Sequence, residues 1–136
     1  MRGAPEAFGQ FSGGPGTRTP AQILAHMGDL FDWALSIVNG DEKWHDSTPL
    51  PWTREVERFF ATLEKFDERL ASAEPLAGAA EQIFAGPIAD ALTHTGQIAM
   101  LRRMAGAPIR GENYYRAKIQ AGRAGMEQAP PVVEFD

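Results

Sequence analysis

The 136-residue chain has no cysteine. That excludes disulfides, thiolate metal ligands and cysteine nucleophiles. No apolar run approaches the roughly 18 residues a membrane span needs, and the N-terminus lacks the apolar core of a signal peptide. A cytoplasmic protein with no membrane partner is therefore expected. There is no basic excess: net charge is −5 and the pI about 5.2, whereas phosphate backbones are bound by a dominant basic surface, so no nucleic acid partner is expected. A glycine-rich phosphate loop with lysine, a serine triad and paired glutamates at a defined spacing are likewise missing. Strand-like alternation of useful length is absent, which leaves an all-α fold.

What remains is an ordinary globular composition, 43% hydrophobic and 23% charged, on a chain long enough for one core. Residues 1–18, MRGAPEAFGQFSGGPGTR, form a glycine-rich arm that Phe8 and Phe11 could tack to the core. Residues 19–108 form the helical unit. Thr19-Pro20 caps and starts a helix that runs to Val38 and stops at Asn39-Gly40, with Ile23, Met27, Leu30, Ala34 and Ile37 as its apolar stripe. DEKWHDSTPLP is a polar loop, and Trp52 to Ala71 is a heptad helix whose apolar line is Trp52, Val56, Phe59, Leu63, Phe66 and Leu70. Glu74-Pro75 breaks the pattern, and LAGAAEQIFA adds one or two turns before a helix from Pro87 to Ala105, the two forming either one kinked helix or two separate ones. Residues 109–136 are an extension with at most one short helix, near Tyr115 to Ala121, and an acidic tail.

The chemistry concentrates in PIADALTHTGQIAMLRRM. Asp90, His94, Gln97, Leu101 and Met104 follow a 4-3-4-3 spacing, which predicts that they share an inward helical face. Burying such polar groups without partners costs roughly 2–7 kcal/mol each, so either a metal ion or a local hydrogen-bond network must satisfy them. Asp90 and His94, four apart, can hold one ion from adjacent turns. His26, beside the stripe of its own helix, is the natural third ligand. Gln97, one turn beyond His94, could orient a ligand or a bound water through a hydrogen bond, or else be a buried amide bonded to backbone. His45, in the loop, is a weaker candidate for a fourth ligand or a base. Arg102, Arg103, Arg110, Arg116, Lys118 and Arg123 could hold an anionic co-substrate, or be a solvated face paired with the acids of the tail.

TPAQILAHMGDLFDWAL and ADALTHTGQIAMLRRMAG together resemble the DinB-like (DinB/YfiT) superfamily of helical-bundle metalloenzymes. The family pattern is a histidine in the second helix, matched by His26, and two histidines four apart in the fourth, the second followed by a short run ending in Gly-Gln. His94 with Thr95-Gly96-Gln97 matches that ending, while Asp90 stands where the family has its earlier histidine. The resemblance implies an antiparallel helical bundle of four-helix type and a divalent metal (zinc, nickel, iron or manganese) on His26, Asp90 and His94. A carboxylate in the set makes the site harder and more anionic than three histidines. It also implies a small-molecule substrate and a thiol-dependent transferase or hydrolase, whose low-molecular-weight thiol must come from outside this cysteine-free chain. The family's first long helix has no counterpart in residues 1–18, so the chain is either an N-terminally short member or begins inside the native protein. Either way an uncovered apolar groove is expected, which favours a homodimer. The alternative is a non-enzymatic dimeric bundle that binds a small molecule or protein partner through a hydrogen-bonded polar seam.

Overall fold

The computed structural model describes residue 1 and residues 3–135. The chain begins with a 3-10 turn, Glu6–Gln10, followed by α1 (Pro20–Val38), α2 (Trp52–Ala71) and a short α3 (Ala80–Ile83). A π turn (Phe84–Ile88) leads directly into α4 (Ala89–Met104), and β1 (Gly111–Glu112) pairs antiparallel with β2 (Glu134–Phe135). The fold is mainly helical. Among the described residues, no helix is long and apolar enough to cross a membrane.

α1 is the centre of the molecule, packed against α2 and against α4. Its start is local chemistry: the Thr19 hydroxyl accepts from Gln22 N–H, the Gln22 side chain accepts from Thr19 N–H, and Pro20 occupies the first turn. Its end is equally local. Asn39 closes the last turn, and Gly40 at φ +75° takes the left-handed conformation that reverses the chain. Both ends match the expected Pro20 to Val38.

α2 also has the expected bounds, with Trp52, Val56, Phe59 and Phe66 buried against Phe31, Leu30 and Leu24 of α1 in one core. Leu63 is half-buried, and Leu70, expected on the apolar line, is 40% exposed. The heptad line outruns its partner there, because α1 ends near the last turns of α2. Pro51 contributes no side-chain cap to α2. The arm supplies one: Glu6 accepts from Thr53 N–H at 3.0 Å and from its hydroxyl at 2.6 Å. Phe8 sits edge-on against Trp52 with ring centroids 5.0 Å apart, so the arm is packed on the bundle. At the other end Arg69 ties α2 to α1, donating to the Asn39 side chain at 2.7 Å and to the Val38 carbonyl at 3.1 Å. A buried carboxylate, Glu55, accepts from Leu50 N–H and from Arg58 Nε, both at 2.8 Å.

The expected helix start at Pro87 is corrected. Backbone angles are helical through Ile83, Phe84, Ile88 and Ala89, so α3, the π turn and α4 form one continuous helical run from Ala80, and Pro87 is interior to it. A proline inside an α-helix lacks a donor and clashes with the carbonyl four residues back. The wider π turn accommodates it: Ala89 N–H reaches back five residues to Phe84 O. Where at most one short helix is expected, near Tyr115 to Ala121, there is none. That stretch is turns and bends, which tie back through Asn113 N–H to Val133 O and through the β1–β2 ladder.

Candidate metal centre

α1 delivers His26 and α4 delivers Asp90 and His94 to one place. His26 Nε2 lies 3.5 Å from Asp90 Oδ2, and His94 Nε2 lies 3.4 Å from Asp90 Oδ1. The two imidazoles meet edge to face, with centroids 4.9 Å apart. One ligand atom from each of the three residues falls within 4.8 Å of the other two. Gln97 stands one turn on, and His94 Nδ1–H donates to its carbonyl oxygen at 2.7 Å. That bond orients the ring with Nε2 toward Asp90.

The inward-face expectation needs correction. The buried line of α4 is Ala91, Ile98 and Leu101, continued back to Pro87 and Ile83. Asp90 keeps 46% of its side-chain surface exposed, Gln97 is exposed, and Met104 is 52% exposed. His94 and His26 lie deeper, at 12% and 23%. The cluster therefore sits on the rim of the α1–α4 interface. The small Ala91 and the branched Ile98 fit against α1 and carry the polar row one step round toward solvent. Water can reach Asp90, so full burial is not what drives these groups together.

The rim is flanked by two cavities. One, of about 370 Å³, has Arg18, Ile23, His94, Met100 and Leu101 on its wall. The other, of about 240 Å³, has Arg18, His26, Asp29, Asp46 and Ser47. Trp44, from the loop between α1 and α2, lies edge-on to His26 at 5.8 Å and to Trp33 at the same distance.

His45 does not join His26. It lies against the α1 acids instead, with Nε2 3.1 Å from Asp29 Oδ1 and 3.7 Å from Asp32 Oδ2. Asp29, Asp32 and His45 also come within ligand range of one another, a grouping the sequence did not suggest. Asp29 is buried, but both its oxygens are already used: Oδ2 accepts from Ser47 N–H at 2.8 Å and Oδ1 from the Ser47 hydroxyl at 2.6 Å. These bonds make it a latch for the loop. Burial pushes the Asp32 carboxyl above its ordinary range, partly offset by His45 and Lys65. The only sequence signal for the latch was the i, i+3 spacing of two acids on an otherwise apolar helix.

Three of the six C-terminal cations are committed. Arg102 is buried and donates to Ala107 O, Arg110 lies 3.5 Å from Glu134, and Arg123 donates to Glu127 O. No protein-family model, characterised protein or solved structure matches the chain.

Proposed function

We propose that His26, Asp90 and His94 hold one divalent metal ion, and that the protein is a metal-dependent enzyme of the DinB-like kind acting on a small molecule. The observation that carries this reading is the pair of 3.4–3.5 Å separations between Asp90 and the two histidines. They exceed the roughly 2.7–3.2 Å of direct hydrogen bonds. Each taken singly lies in the range of about 3.3–3.6 Å between donors that stand about 2.0–2.2 Å from one tetrahedral ion; they run to the two different Asp90 oxygens, and with one ligand atom per residue the three lie within 4.8 Å of one another. The donor set, two imidazole nitrogens and a carboxylate, suits zinc, nickel, iron or manganese.

An ion with three protein ligands would act as a Lewis acid, lowering the pKa of a water or an external low-molecular-weight thiol. The chain's own residues hold and shape the site. Gln97 orients His94, Trp44 covers His26, and the exposed flank of Asp90 leaves an approach for substrate. A thiol-dependent transferase or a hydrolase is consistent with that arrangement.

A second reading is a non-enzymatic dimeric module. Four apolar side chains on the π turn and α4 favour it, Phe84, Leu92, Met100 and Met104, each more than half exposed. In that case a second copy would cover the helix and the polar cluster would serve packing. Light scattering at micromolar concentration gives the mass of a pair if this face self-associates.

Elemental analysis of untagged protein beside a His94→Ala variant decides the metal. We expect metal in the first and little in the second, and equal content in both would remove the site. Zinc, nickel or manganese added at a hundred times its dissociation constant should stabilise the native chain by roughly 2.7 kcal/mol in a thermal shift. His94→Ala should lose that gain.

A further inference from the structure

We infer that Arg18 is the anchor for a singly charged carboxylate ligand whose apolar body fills the cavity beside His94. Arg18 ends the N-terminal arm, and its exposed side chain lines both cavities that flank the His26–Asp90–His94 cluster. Among the described residues its guanidinium makes no hydrogen bond or ion pair, in a chain that carries five more acids than bases. Of the other polar groups nearby, the Thr17 hydroxyl donates to Gly14 O at 2.8 Å, the Gln97 side-chain oxygen is taken by His94, and Asp29 is held by Ser47 and His45. Asp46 lies on the wall of the smaller cavity only.

The larger cavity, about 370 Å³, falls in the range of small-molecule sites, and Ile23, Met100 and Leu101 make its wall mainly apolar. One planar, two-pronged cation on an apolar wall selects a carboxylate attached to a hydrocarbon body, because the fork matches a carboxylate in bidentate fashion. Among the described residues lining either cavity, Arg18 is the only lysine or arginine, one full side-chain charge against the two of a phosphate. The start of α1, immediately after Arg18, adds partial positive charge on the same side. A ligand so held lies in the cavity that His94 also lines.

Treating that ligand as the substrate rests on the proposed metal site; its binding requires only Arg18 and the cavity. The test is calorimetry on the full chain, zinc-loaded and chelator-treated, with straight-chain carboxylates from butanoate to decanoate and 4-phenylbutanoate, each beside its neutral amide. At least one acid is expected to bind about tenfold or more tighter than its amide in both states. Arg18→Gln should abolish the preference, Arg18→Lys should keep part of it, and Met100→Gln should weaken the longer acids most. Because Arg18 is exposed, the melting temperature of Arg18→Gln should match the parent and show that the fold is intact. Acids binding no better than amides would overturn the anchor, as would a preference that survives Arg18→Gln. A protein that binds no zinc yet prefers acids through Arg18 keeps the anchor and sinks the metal reading alone.

Discussion

Glu6 shows how much a single exposed side chain can organise. Its carboxylate stands in for the cap that Pro51 does not provide, and the hydrogen bonds from Thr53 hold its pKa below the ordinary glutamate value. The folded-state value is the lower one, so the stabilising contact is fully present above the ordinary value and is lost as pH falls through the depressed one. In an NMR titration the Thr53 amide proton should therefore move with a midpoint below the ordinary glutamate range, and Glu6→Gln should abolish the movement. A Thr53 amide blind to acid would refute the cap. None of this was readable in the sequence, since 47 positions separate donor and acceptor. The site residues were more legible. Asp90 and His94 stand together because helix geometry fixes the relation of positions four apart, and the packing of α1 on α4 brings His26 to them. What spacing cannot fix is the absolute rotation of a helix: the row Asp90, His94, Gln97, Leu101 and the row Pro87, Ala91, Ile98, Leu101 share a member, and volume at the α1 contact chose the second as core.

At the scale of elements, α1 and α2 were legible to the residue because their signals are local: Thr19-Pro20, Asn39-Gly40 and the Trp52 heptad. The run from Ala80 to Met104 was not, since a proline after a glycine reads as a helix start unless neighbours hold the chain helical through it. The π turn has a definite task there. Eight positions separate Ile83 from Ala91, about 80° out of phase in a regular α-helix, and the wider turn absorbs the extra residue so that Ile83, Pro87 and Ala91 are all buried. Deleting the exposed Ala85 would return the run to α geometry with Ile83 still on the buried face but with Pro87 in an α-helix interior, at an expected cost in urea denaturation of about 3 kcal/mol. Unchanged stability would mean that the π turn does not serve Pro87.

For the molecule as a whole, α1 is central, packed against the 3-10 turn of the arm, α2 and α4 and tied to the loop through Asp29. The loop feature with the widest consequence is the chain of rings from Trp33 through Trp44 to His26. It amounts to a built-in optical reporter: indole emission responds to the electronic state of a ring in contact, so a cation arriving at His26 should change the fluorescence of Trp44 without any label. Trp52, held against Phe8 away from the cluster, should contribute a constant background, and Trp44→Phe should silence the change. Occupancy of the site becomes something that can be watched in real time as light.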